Sequence, residues 1–164
     1  MAGSRSARTL EQIARFHAAG LPSLRLDVLA ATAGRDVTGE APAWYDAQGC
    51  DRPVLIYASA SPEELASVQA QLGVVEAPQH VEELLGALAS HLVGRGVRRL
   101  LVAGGETSGA VTTALGVRAV LVGEEADDGR AMDVRGHRED LALMLKSGNF
   151  SAPDLFTRAL TKSR

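Results

Sequence analysis

The residues best suited to chemistry lie in "LLVAGGETSGAVTTALGVRAVLVGEE", Leu100 to Glu125. An apolar run ends in Gly104 and Gly105, followed by Glu106, Thr107, Ser108, Gly109 and a helix-like segment. Glycine lets backbone approach phosphate oxygens, and the hydroxyls add donors. The free N–H groups and dipole of the next helix also favour an anion. The same residues equally suit a tight strand-to-helix turn with capping hydroxyls and no ligand. A Walker loop needs Gly, four residues, Gly, Lys and then Ser or Thr. Gly104 and Gly109 have that spacing, but Ala110 and Val111 follow, so this is not a P-loop. The dinucleotide fingerprint G-x-G-x-x-G does not fit Gly104, Gly105 and Gly109 either, although Glu124 stands where a ribose-binding acid would.

Glu106 discriminates further. A carboxylate beside a pyrophosphate is repulsive, on a scale of roughly 1 to 4 kcal/mol. It becomes useful if Mg²⁺ lies between, because Mg²⁺ takes one or two carboxylates plus phosphates. Structural pairing with an arginine or with backbone N–H groups is the alternative. A second cluster, "LKSGNFSAPDLF", places Lys146, Ser147, Gly148 and Asn149 after another apolar run. Lys146 has the chemistry of a phosphate point charge and Gly148 that of a close backbone approach; a polar strand exit with a solvated lysine is the competing reading. His17, His80, His91 and His137 show no metal-ligand spacing, and "EEADDG" lacks the spacing of an EF-hand loop.

The elements that must position these residues alternate. "ARTLEQIARFHAAG" predicts an amphipathic helix with Leu10, Ile13, Ala14 and His17 near one face, punctuated by Gly20 and Pro22. "SLRLDVL" predicts a strand, Ala31 to Cys50 an irregular stretch with a short helix near Trp44, and Val54 to Ala58 a strand. "SPEELASVQAQLG" has Ser61 as N-cap, Pro62 at the first helical position and Glu64 completing a capping box. A longer helix over "PQHVEELLGALASHLVGRG" shows Val81, Leu84, Leu85, Leu88 and Leu92 on one face. Then come the strand "RRLLVAGG", a helix ending at Gly116, the strand "RAVLVG", a charged loop from Glu124 to Asp140, the strand "LALMLKSG" and a helix capped by Ser151. The strands are continuous apolar runs, which predicts a three-layer α/β/α domain with a mostly parallel sheet covered on both faces. Ligands in such sheets settle beyond the carboxyl ends of the strands, where both clusters would lie if their strands are parallel.

The 164 residues fit a single domain, and that length buries roughly 70% of the unfolded surface. A formal charge of −3 without a Lys/Arg block argues against nucleic acid or an anionic membrane as partner. Aromatic residues are scarce at 4%, too few for base-stacking platforms. Cys50 stands alone, so no disulfide framework or cysteine metal site is expected. No signal peptide opens the chain and no window approaches the ~20 apolar residues of a membrane span, so a cytoplasmic protein is expected.

"AGGETSGAV" paired with "LKSGNF" resembles the C-terminal nucleotide-binding domain of the four-carbon acid sugar kinase family. The resemblance runs from "GSRSARTLEQI" through "LRLD", "PVLIYASASPEE" and "ALGVRAVLVG" to "LKSGNFSAPDLFTRAL". It implies an ATP-binding domain whose partner, an N-terminal domain absent from this chain, holds a threonate, erythronate or oxo-tetronate for phosphorylation of the terminal hydroxyl. It also implies nucleotide contacts from Ser4, Gly104, Gly105, Glu106, Thr107 and Gly148, with Ser6, Ser108, Gly109, Lys146 and Asn149 drawn from the same motifs; the charge argument above directs Glu106 towards Mg²⁺ bound with ATP. Arg5 replaces the family's cysteine, Ser151 replaces a glycine, and "EEADDGRAMDV" departs from a proline-rich stretch. No catalytic base can be named, so the domain alone is expected to bind ATP without efficient transfer. A stand-alone nucleotide-binding or regulatory module is the alternative, and a dinucleotide-binding fragment a third. Apolar positions in Ala31–Tyr45 add the expectation of a homodimer.

Overall fold

A computed structural model describes residues 1–49, 52–59, 70, 76–125, 132–135, 141–147 and 149–161. Among them, the strands are β1 (Ser23–Arg25), β2 (Leu55–Tyr57), β3 (Arg99–Ala103), β4 (Leu121–Glu125), β5 (Met132–Arg135) and β6 (Ala142–Lys146). The helices are α1 (Ala7–Ala18), α2 (Val28–Thr32), α3 (Val37–Ala47), α4 (Glu76–Gly94), α5 (Gly105–Ala114) and α6 (Leu155–Thr161). The capped helix expected over Ser61, Pro62 and Glu64 lies outside the described residues, as do Cys50 and residues 126–131 and 136–140 of the charged loop.

β1 and β2 pair in parallel, and β3 pairs in parallel with β6. The chain's first residues join these halves: Ala2 bridges both Tyr57 and Ala103 in parallel. Ala2 N–H donates to Ile56 O at 3.1 Å, and Ala58 N–H donates to Ala2 O at 2.8 Å. β6 then pairs antiparallel with β5, and β5 with β4, giving the order β3-β6-β5-β4.

Side chains alternate across this sheet, so an apolar run supplies two cores at once. Met1, Ile56, Leu100, Val102 and Leu143 join Leu85, Leu88, Leu92 and Val111 on one face. Ala2, Leu55, Leu101 and Ala103 join Ile13, Phe16, Leu155 and Phe156 on the other. Helices α3, α4 and α5 therefore cover one face and α1 and α6 the other, the three-layer arrangement expected.

Several local expectations are corrected. α1 buries Thr9, Gln12, Ile13 and Phe16 and leaves Ala14 and His17 exposed, because two polar residues on its inner face find partners there. The strand expected over "SLRLDVL" stops at Arg25, since Asp27 caps α2 by accepting from Ala30 N–H at 2.9 Å. In the irregular stretch after Ala31, the short helix expected near Trp44 is present as α3 but is longer, running from Val37 to Ala47 behind an Asp36 cap. Pro42 within α3 cannot serve the Thr38 carbonyl, and His91 Nδ1 on α4 lies 3.4 Å from that oxygen instead. The apolar residues of this stretch are used internally: Val37 and Ala41 are buried, and Ala31, Trp44 and Tyr45 pack on the same core. The charged loop after Glu124 contains β5, an antiparallel strand without an apolar run. Ser151 has φ of +73° and sits four residues before α6, so it is not that helix's N-cap.

Candidate nucleotide site

α5 begins where β3 ends at the carboxyl edge of the sheet. Its N-cap, Gly104, has φ of +126°, a conformation that favours glycine. A Cβ there would lie 2.9 Å from Thr107 Oγ1 and 3.2 Å from Ser4 N, so the turn is also too tight for a side chain. Among the described residues no side chain caps α5. The amides of its first turn therefore have neither an intrahelical acceptor nor a capping one.

The N-terminal segment lies directly over this turn. Gly3 and Ser4 N–H both donate to Ala103 O, at 3.1 and 3.2 Å. A Cβ on Gly3 would come within 2.4 Å of Thr107 Oγ1, so glycine is required for the close approach. Gly3, Ser4, Arg5, Gly104, Gly105, Glu106 and Thr107 line an open cleft of about 320 Å³.

The second cluster sits against the first because β3 and β6 are parallel neighbours. Ala103 aligns with Lys146, and Gly104 N–H donates to Lys146 O at 2.8 Å. A Cβ on Gly105 would be 3.4 Å from Ser147 Oγ. Asn149 Oδ1 accepts the Arg8 backbone N–H at 2.8 Å, and Ser6 Oγ accepts Thr9 N–H at 3.2 Å. Among the described residues α1 is thus capped by protein groups, whereas the start of α5, beside it, is not.

Among the sequence-predicted residues, Ser4, Gly104, Gly105, Glu106 and Thr107 line the cleft. Ser6, Lys146 and Asn149 stand behind it. Ser6 and Asn149 hold the first turn of α1, and Lys146 is 0% exposed with its Nζ donating to Thr9 Oγ1 at 2.9 Å. Burial first, and the Arg8 charge second, lower the Lys146 ammonium from its ordinary 10.5 to about 8. Ser108 and Gly109 belong to α5 and are not among the cleft residues; Ser108 Oγ is buried without a partner among the described residues. Gly148 lies outside the described residues. Glu124 falls on β4, separated from β3 by β6 and β5, so it is not on a strand next to the glycine turn as the dinucleotide reading requires.

Gly3 and Arg5 were not legible as cleft residues from spacing, since they precede the first helix and carry no periodic signal. Among the described residues no group of three or more His, Cys, Asp or Glu side chains is placed to hold a metal. None of the described helices is long and apolar enough to cross a membrane.

Residues 1–156 match the family model described as a nucleotide-binding C-terminal domain. The chain belongs to this family. Over 160 residues it is 49% identical to the 3-oxo-tetronate kinase of Cupriavidus necator, covering 98% of this chain and 37% of that protein. The 3-oxo-tetronate kinase of Methylobacterium radiotolerans is 48% identical over 161 residues, covering 98% and 38%. The crystal structure of Haemophilus influenzae protein HI1011 superposes with a TM-score of 0.88 at 31% identity, over 95% of this chain and 38% of that one. The nucleotide-binding C-terminal domain thus spans a little over a third of the length of the curated relatives it matches.

Proposed function

We propose that this domain binds ATP at the α5 turn and serves as the nucleotide half of a kinase for a four-carbon sugar acid of the 3-oxo-tetronate type, acting on its terminal hydroxyl. The observation that carries the reading is the pairing of two helix starts, one capped by protein and one bare. The bare amides of α5, with Gly104 and Gly105 admitting close approach, form a concave donor surface for phosphate oxygens. Arg5 adds a guanidinium and Ser4 and Thr107 add hydroxyls on the same wall. The names of the relatives support the choice of kinase and substrate class.

A carboxylate on an anion-binding wall fits a divalent cation. Glu106 is exposed in the first turn of α5, and it would hold Mg²⁺ together with the phosphates. The metal would neutralise phosphate charge during transfer. The chain's own groups bind and orient the polyphosphate. The sugar acid and the base that accepts its hydroxyl proton would belong to a partner domain, since the chain spans 37% of the Cupriavidus necator relative named for that kinase.

Complementation tests this directly. The chain is mixed with the separately produced N-terminal part of the Cupriavidus necator relative, and ADP formation is followed with and without 3-oxo-tetronate. Sugar-acid-dependent ADP formation that neither half shows alone is the expected result. A folded pair that forms no ADP with any four-carbon sugar acid would contradict the reading.

A further inference from the structure

Behind the cleft wall lies a line of polar groups that direct nucleotide contact does not use. It starts at Lys146, the last residue of β6, and its first link is the 2.9 Å bond from Nζ to Thr9 Oγ1. Thr9 is itself fully buried, and its Oγ1 lies 2.9 Å from Ser6 Oγ. Ser6 Oγ lies 3.2 Å from Ser4 Oγ, and Ser6 N–H donates to Ser4 Oγ at 3.2 Å. Ser4 is on the cleft wall. A continuous chain of hydrogen-bonding groups therefore connects a buried ammonium to the proposed phosphate site. The main-chain oxygen of the same lysine holds Gly104 N–H, so one residue fixes both walls.

The placement is electrostatically unusual. Nζ sits against the first turn of α1, where the helix dipole is positive and a cation is disfavoured. Arg8 in the same turn adds a like charge, and burial removes solvent. Such an arrangement becomes favourable when an anion arrives at the neighbouring surface.

We propose that Lys146 is a positioning residue for the anion site: through Thr9 and Ser6 it sets Ser4 and the start of α1 against the glycine turn, and its charge is offset by the bound polyphosphate. This rests on the reading of the cleft as a nucleotide site. A bound polyphosphate favours the charged lysine and so restores its proton affinity. Binding then takes up a proton once the free protein has begun to lose it, from about pH 8 upward. Affinity consequently falls as pH rises through that range, by up to about tenfold per pH unit for a single linked proton. Other charged groups near this line are Arg8 and Glu11 on α1, paired at 2.7 Å, Arg5 and Glu106 at the cleft, and Asp154 with Arg158 on α6 at 3.9 Å. On the β3 side Lys146 aligns with Ala103, and on the β5 side the register ends at Met132 opposite Leu145. Carboxylates and guanidinium groups ordinarily titrate outside the window used here.

ATP binding to the full chain is measured by calorimetry from pH 7.5 to 9.5 for the wild type, Lys146→Met, Thr9→Val and Thr9→Ser, with circular dichroism confirming that each is folded. Wild-type affinity should fall across the range. Lys146→Met should bind about tenfold more weakly at pH 7.5 and lose the pH dependence. Thr9→Val should be weakened similarly, while Thr9→Ser, which keeps the hydroxyl, restores binding; these two carry the test if Lys146→Met does not fold. Wild-type affinity and pH profile retained in Lys146→Met or Thr9→Val would overturn the assignment. A wild type that binds no ATP at any pH would instead overturn the parent reading of the cleft, and this assignment with it.

Discussion

Gly104 and Gly105 are adjacent but bare for different reasons. At Gly104 the backbone lies at φ of +126° and a Cβ would press on Thr107 and Ser4, so the turn itself requires glycine. At Gly105 a Cβ would make only an ordinary 3.4 Å contact with Ser147 Oγ, so the fold would accept one, and the empty space lies on the cleft side. Arg5 is the other informative residue: it is exposed, lines the cleft, and stands where the family resemblance led us to expect a cysteine. Arg5→Ala should weaken ATP binding about tenfold, or 1.4 kcal/mol, with little change for adenosine, measured by competition. Equal loss for both ligands would place Arg5 away from the phosphates. The glycines, Glu106 and Thr107 were legible in the sequence because they follow an apolar run directly. Gly3 and Arg5 were not, because their role comes from a chain segment laid across the turn, which spacing along the sequence does not encode. Lys146 was legible as a motif residue but not as a buried one, since its place behind the wall depends on Thr9 from a distant helix.

At the scale of elements, α5 carries the bare amides, so its position against α4 matters as much as its own sequence. Gly86 on α4 makes that position possible: a Cβ there would lie 3.2 Å from Ala110 O and 3.3 Å from Ala114 Cβ. Ser90 Oγ on α4 donates to Ala114 O at 3.2 Å, tying down the far end of α5. Gly86→Val should cost about 1–3 kcal/mol in denaturant unfolding and weaken ATP binding, although Gly86 touches no cleft residue. Unchanged affinity in a destabilised variant would show that the start of α5 is held by the sheet edge alone. The long apolar face of α4 was readable from its period, as was the strand-turn-helix of β3 and α5. α1 was read one face away from its true orientation. Thr9 and Gln12 are polar yet inward, and a hydrophobic-period argument assigns such residues to solvent. The helix near Trp44 was readable but its length was not, because the Asp36 cap and packing on α4 carry α3 through Gly39 and Pro42.

The whole molecule shows why the site is where it is. Apolar runs with both faces buried announce a parallel sheet, and a parallel β3–β6 pair brings two loops far apart in sequence to one edge. That much followed from pattern. β5 did not, since its four residues Met132–Arg135 alternate in polarity within a charged stretch and gain strand character by pairing with β4 and β6. The chain's opening residues were equally hidden: "MAGS" has no strand signature, yet Ala2 closes the sheet between β2 and β3 and delivers Ser4 to the cleft.

The central claim is that the uncapped start of α5 is a nucleotide site, and ligand-dependent melting tests it most directly. The chain is melted alone and with ATP, Mg-ATP, ADP and NAD, beside a Gly105→Val variant that crowds the amides without straining the turn. Ligand at a hundred times its Kd adds about 2.7 kcal/mol of stability, a shift easily resolved. The account predicts a rise in Tm with Mg-ATP, a smaller one with ATP alone, none with NAD, and loss of the response in Gly105→Val. No shift with any adenine nucleotide, or an undiminished shift in Gly105→Val, would contradict it.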